Sequence, residues 1–208
     1  MAFADFKNTG QVLRQFNISA QKNNFIAFST MQQTPVHLAE DINFVLRHGD
    51  HTSSEAICES LIYPVLSQVL KGFLNTFLLY SHYSWYVDEQ LSGIPSYLIT
   101  TKSKYGAPVI GTPVLIVVEA KKDDFEEGWG QCTAMMYAAQ QLDENASKVY
   151  GLVTNGKQWE FATLEKSIFI RNIVGYFISN LGNLYSALHF VLTDCKNQLT
   201  ASQLTTES

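Results

Sequence analysis

Cysteine is scarce and scattered in this chain. Three are present in 208 residues, Cys58, Cys132 and Cys195. They are too far apart, and odd in number, for a disulfide framework, and they lack the paired spacing of a zinc site. Cys58 and Cys132 fall within apolar helical patterns, which predicts core packing. This usage suits a reducing, cytoplasmic setting. Basic residues are in the minority: 14 Lys and Arg against 19 Asp and Glu leave a net charge of -5. That excludes a diffuse basic surface for polyanions. A local basic patch stays open, with Lys102, Lys104, Lys121, Lys122 and Lys148 as candidates. No apolar run is long enough to span a membrane, since Phe73–Tyr80 is too short and contains Asn75. Asp5 and Lys7 interrupt the first residues, so no secretory leader is expected. There is no internal repeat, no Walker phosphate loop, no dinucleotide-binding glycine fingerprint and no serine nucleophile elbow.

What the chain does have is PVLIVVEAKK, Pro113–Lys122. The run opens with consecutive β-branched and aliphatic residues, the mark of a strand buried on both faces. It ends in Glu119-Ala120-Lys121, and strand alternation puts Glu119 and Lys121 on one face with Ala120 on the other. A carboxylate and an ammonium at the end of a buried strand are costly unless paired, metal-bound or wet. Two readings are open. The strand simply emerges into solvent and ends in charges, or the carboxylate holds a divalent metal beside a lysine that steadies an attacking water.

The length fits one domain with a substantial core, read as residues 1–198 with an N-terminal helical extension, followed by a polar, disordered tail over 199–208. Val12, Leu13 and Phe16 mark a short helix after Thr9, and Asn24–Phe28 a short strand. Thr34-Pro35 reads as an N-cap followed by proline at the first helical position, opening a helix through Leu38, Ile42, Val45 and Leu46. His48-Gly49-Asp50-His51 reads as a polar turn, because neither histidine has a third metal ligand at a recognisable spacing. Ser53 or Ser54 caps a further helix with Ile57, Leu61, Val65, Val69 and Phe73 on one face, and Pro64 should kink it or mark a new first turn. Glu55 and Glu59 share a side of that helix; the plain reading is an acidic first turn that favours the helix dipole.

His82–Gln90 alternates as a strand, Ser92-Gly93 reads as a turn, and Tyr97–Thr101 returns to complete a hairpin. Lys102–Thr112 reads as a mobile loop. After the central strand, Asp123-Asp124 caps a helix carrying Phe125, Trp129, Cys132, Met136 and Ala139, in which Gly128 and Gly130 imply close packing. Gln131 is either an exposed helix glutamine or part of a site. Lys148–Thr154 is a strand, Asn155-Gly156 a hairpin turn, and Gln158–Thr163 the return. Ile168–Ile173 extends the sheet edge, and Ile173–Leu192 should be a closing helix.

This order resembles the PD-(D/E)XK nuclease superfamily, in particular the domain that opens type I restriction motor subunits and its small stand-alone relatives. The resemblance covers roughly Ser53–Leu164. It rests on Glu55 in SEAICESLIYPVL, on GIPSYLIT, on VVEAKK, on Gln131 in GQCTAMMYAAQ and on LVTNGKQWEF. It implies an α/β, restriction-endonuclease-like fold with a mixed central sheet flanked by helices, and magnesium-dependent cleavage of DNA phosphodiesters in restriction or repair. Carried over, Glu119 is a metal ligand, Lys121 orients the water, Glu55 is the helix carboxylate with Glu59 as the alternative, and Gln131 contacts phosphate or braces the site. Lys122, Lys102 and Lys104 would meet substrate. DNA is the implied partner, with a second copy or a separate subunit in view.

The chain departs from the family at one point. Where the pattern has proline-aspartate, it has Pro95-Ser96. Glu89 is the expected substitute ligand, lying across the hairpin from Ser96 if the turn centres on Ser92-Gly93. Otherwise the site has lost a charge, and the chain is a catalytically impaired relative kept for nucleic-acid or protein binding, or the position simply differs in this copy.

Overall fold

The structure, a computed structural model, describes residues 2–49, 51–142 and 148–206, with side chains through Ala201. Its strands are β1 (Ser19–Asn23), β2 (Phe77–Ser81), β3 (Trp85–Tyr86), β4 (Ser92–Gly93), β5 (Tyr97–Thr101), β6 (Val114–Ala120), β7 (Lys148–Thr154), β8 (Gln158–Glu165), β9 (Ile168–Asn172) and β10 (Tyr176–Phe177). The helices are α1 (Thr9–Gln15), α2 (Val36–His48), α3 (Ser54–Ile57), which runs through a π turn (Cys58–Ile62) into α4 (Tyr63–Leu70), then α5 (Phe125–Leu142) and α6 (Leu181–Thr206).

An eight-stranded mixed sheet in the order β1-β9-β8-β7-β6-β5-β2, with β10 on β8, forms the middle layer. β6 pairs parallel with β7 and antiparallel with β5, and all seven of its residues are buried. Strand alternation divides the core in two. Leu98, Val117 and Val153 pack with Trp129, Cys132 and Met136 of α5 on one face. Tyr97, Ile99, Ile116 and Val118 pack with Leu61, Val65, Leu188 and Val191 of the helices on the other. The expected α/β class, with a mixed central sheet flanked by helices, is what the chain builds.

Several local expectations shift. Asn24–Phe28 has no regular structure, and the strand lies just before it as β1. Pro35, not Thr34, caps α2, and Thr34 Oγ1 is buried with no hydrogen-bond partner. Asp50 of the His48–His51 turn lies outside the described residues. Ser53 Oγ accepts from Ala56 N at 3.0 Å and so caps α3 as expected. The four-residue interval from Ile57 to Phe73 is longer than an α-helical turn, so an unbroken α-helix would rotate that stripe away from the core. The π turn absorbs the excess, and Pro64 lies in the first turn of α4 immediately after it.

The 82–93 hairpin is not where alternation put it. Asp88 Oδ1 accepts from the N–H groups of Gln90 and Leu91 at 2.7 and 2.8 Å, fixing the turn there. Trp85 then pairs with Gly93 and Tyr86 with Ser92 in a separate ribbon. The sheet partner of β5 on its outer side is β2, not the 82–90 segment. The closing helix starts at Leu181, after β10, and continues to Thr206, through most of the expected tail. No glycine or proline follows Gly182 in it, and Leu199 prolongs its apolar stripe against the core. Residues 207–208 lie outside the described residues.

Candidate functional site

The site is built by register. Tyr97 stands opposite Val118 in the antiparallel β5–β6 ladder, so Ser96, one residue before, meets Glu119, one residue after. Ser96 Oγ donates to Glu119 Oε2 at 3.4 Å and accepts from the Ala120 N–H at 3.0 Å. Lys121 N donates to Thr154 O at 2.9 Å, carrying the ladder one step past the strand. Its side chain returns to the Glu119 face, where Nζ lies 4.0 Å from Glu119 Oε1. Gly128 lets α5 start directly above: a Cβ there would sit 2.9 Å from Lys121 Cγ and 2.8 Å from Val153 Cγ1.

Glu127 completes the cluster, and the sequence reading missed it. Asp124 Oδ1 accepts from Glu127 N at 2.9 Å, which sets the first turn of α5. Glu127 Oε2 is then 3.5 Å from Lys121 Nζ. Its Oε1 takes Lys7 Nζ at 2.7 Å and Gln131 Nε2 at 3.3 Å. One signal could have found it: Glu127 is one helical turn before Gln131 and therefore on the same face.

The charges are uneven. Burial pushes Glu119 up to about 7; Lys121 and the Ser96 backbone and hydroxyl oppose that push, and Glu127 adds to it. Glu127 moves the other way, held below the usual carboxylate range first by the hydrogen bond from Lys7 and then by Lys121. The cluster therefore holds one ionised carboxylate, one carboxyl poised near neutrality, and an ammonium between them.

The remaining predicted residues do not gather here. Glu55 and Glu59 line a cleft with Tyr97, on the sheet face opposite Glu119. Glu89 is exposed at the turn of the β3–β4 ribbon, so it is not across a sheet hairpin from Ser96. Lys102 and Lys104 follow the far end of β5, the length of that strand away, about 15 Å at ~3.4 Å per residue. Their loop is tied down: Tyr80 Oη donates to Ala107 O at 3.0 Å and Val109 O at 3.1 Å, and Thr101 Oγ1 to Thr112 O at 2.6 Å. Lys122 is exposed beside Lys121.

A magnesium ion wants oxygen ligands that carry charge. Here the nearest pair is the Glu119 carboxyl and the neutral Ser96 hydroxyl, while Glu127 is engaged by two ammonium groups. Among the described residues no three His, Cys, Asp or Glu side chains form a group fit for a metal ion. The residues present do not fit the ion.

The fold defines an α/β domain with a mixed central sheet, and a buried carboxyl beside a part-exposed ammonium at the end of its central strand. No protein-family model and no curated protein matches the chain. Among the described residues no helix is long and apolar enough to cross a membrane.

Proposed function

We propose that the chain is a restriction-endonuclease-like domain, similar in plan to the PD-(D/E)XK superfamily, whose magnesium-dependent cleavage of DNA is weak or lost. One observation carries the reading. The β5–β6 register sets Ser96 against Glu119, so a hydroxyl stands where an aspartate would complete the charge of a metal site. Removing one oxyanion ligand costs on the order of a few kcal/mol of transition-state stabilisation, about a hundredfold or more in rate. The domain then serves by holding a partner. Lys121, Lys122 and Lys7 are the cations on this rim for a DNA phosphate, and such binding falls steeply with salt and does not need magnesium. A reducing compartment such as the cytoplasm suits three free, buried cysteines. Assembly with a second copy or a separate subunit fits a domain of this kind.

The test is Ser96→Asp, with Ser96→Asp/Glu119→Ala as control, followed by magnesium calorimetry and cleavage of supercoiled DNA. The wild type is expected to show little of either activity, Ser96→Asp to gain both, and the double variant to lose them. Efficient cleavage by the wild type, or a Ser96→Asp variant that gains neither property, sinks the proposal.

A further inference from the structure

Across the sheet from Glu119 lies a concavity with a volume of about 300 Å³. Glu55, Cys58, Glu59 and Tyr63 line it from the α3–π–α4 helix, Ser81 and His82 from the end of β2, and Tyr97 from the start of β5. Tyr97 is its floor: the ring is buried, and its hydroxyl donates to Cys58 O at 2.8 Å. The Tyr63 ring flanks it, 6.5 Å from the Tyr97 centroid and tilted by 30°, and is half exposed. The carboxylates of Glu55 and Glu59 stand at the mouth, both in solvent.

The helix geometry is specific to this wall. In an unbroken α-helix, Tyr63 would lie about 80° around the axis from Glu55. The π turn between them is wider and takes back rotation, returning Tyr63 toward the Glu55 and Glu59 stripe. The far wall is held as well. His82 adopts a left-handed φ of 49°, its N–H donates to Ser96 O at 3.1 Å, and its Nδ1 shares a hydrogen with Ser81 Oγ at 2.8 Å. The ring lies 5.9 Å from that of Tyr97.

Among the described residues that line this cleft there is no lysine or arginine. Glu55 is held below the usual carboxylate range by its own backbone N–H and by the Ser53 hydroxyl. Aromatic faces beside carboxylates attract organic cations, and a planar guanidinium gains most, because it both stacks on a ring and donates in a fork to carboxylate oxygens. We infer that this cleft is a binding site for the arginine side chain of a peptide segment. The guanidinium stacks on Tyr63 and donates to Glu55 and Glu59, and the aliphatic stem lies toward Tyr97. The site is independent of Ser96 and Glu119 chemistry and needs no metal.

The experiment is a titration of the full ¹⁵N-labelled chain with N-acetyl-arginine methylamide at low salt, read by amide chemical shifts. The neutral isostere N-acetyl-citrulline methylamide is the control. Saturable shifts centred on Glu59, Tyr63 and His82 are expected, with half-saturation on the order of 1–10 mM for a single side chain. Glu55→Gln/Glu59→Gln should weaken binding about tenfold and Tyr63→Leu about threefold. These side chains are exposed, and the amide spectrum of each variant reports whether it stays folded. Equal binding of the citrulline probe, unchanged affinity in the double variant, or shifts centred elsewhere would overturn the inference. So would shifts that never saturate.

Discussion

Glu119→Gln tests the electrostatics of the strand end directly. Glu119 is 8% exposed, and taking a carboxyl out of water favours its neutral form. The opposing pull of Lys121 and Ser96 is not enough, and the group titrates at about 7 instead of the 4.5 of an unperturbed glutamate. The folded chain therefore holds this proton more tightly than the unfolded chain does. The resulting stability is whole below pH 4.5 and is lost as pH rises through about 7. At ~1.4 kcal/mol per pH unit, the gap sets a ceiling of about 3 kcal/mol. Glutamine keeps an acceptor for the Ser96 hydroxyl and removes the charge. In urea unfolding at fixed pH steps, the two proteins should agree within about 0.5 kcal/mol below pH 4.5. Glu119→Gln should become the more stable as pH rises to 8, by up to about 3 kcal/mol, or about 6–12 °C in melting temperature. Superimposable pH profiles would refute the argument, because they would mean that Glu119 titrates alike in both states.

Two further outcomes follow from the geometry. A Cβ on Gly130 would stand 2.6 Å from Asn8 N and 2.7 Å from Phe6 O, both backbone atoms that cannot rotate away. Gly130→Ala should cost about 2–3 kcal/mol in thermal unfolding, and an unchanged melt would show that the N-terminal segment does not seat on α5 as described. If the rim holds DNA as proposed, Lys102→Ala/Lys104→Ala should leave that affinity within about twofold of wild type, since both lysines lie at the far end of the sheet; a larger fall in filter binding would bring the loop into the proposed interface.

The parts of the fold that the sequence made legible are those fixed by local pattern. Val114–Ala120 reads as a buried strand because its apolar run is continuous and its charges come only at the end. Tyr97–Thr101, α5, β7 and the Asn155-Gly156 turn are equally local. Ser96 comes beside Glu119 through the β5–β6 register, a pairing that no local pattern encodes. What was not legible depends on competition or distance. Alternation over His82–Gln90 suggested a sheet strand, but the Asp88 side chain captures the backbone and sets the turn earlier. Glu127 looked like one more acid in a helix's first turn until Lys7, roughly 120 residues away, and Lys121 closed on it. The separation of Glu55 from Glu119 follows from which face of the sheet each helix covers, and no local spacing encodes that choice.

The placement of β1 has a consequence for how the chain is made. Its partner β9 is parallel to it, with Ser19 opposite Ile168. When Ser19–Asn23 leaves the ribosome, the strand it must join does not yet exist. Roughly 150 residues of translation separate the two, a delay of about 7–30 s at ~5–20 residues per second. The composition of β1 suits that wait. SAQKN carries no large apolar side chain and all five residues are exposed even in the finished sheet, so the nascent segment offers chaperones and neighbouring chains little to hold. Pairing is then a late event that fastens Ser19–Asn23 after the rest of the sheet has formed. A pulse of amide exchange during refolding should find β1 protected last, well after β6 and β7; simultaneous protection of all three would show that the edge forms with the centre.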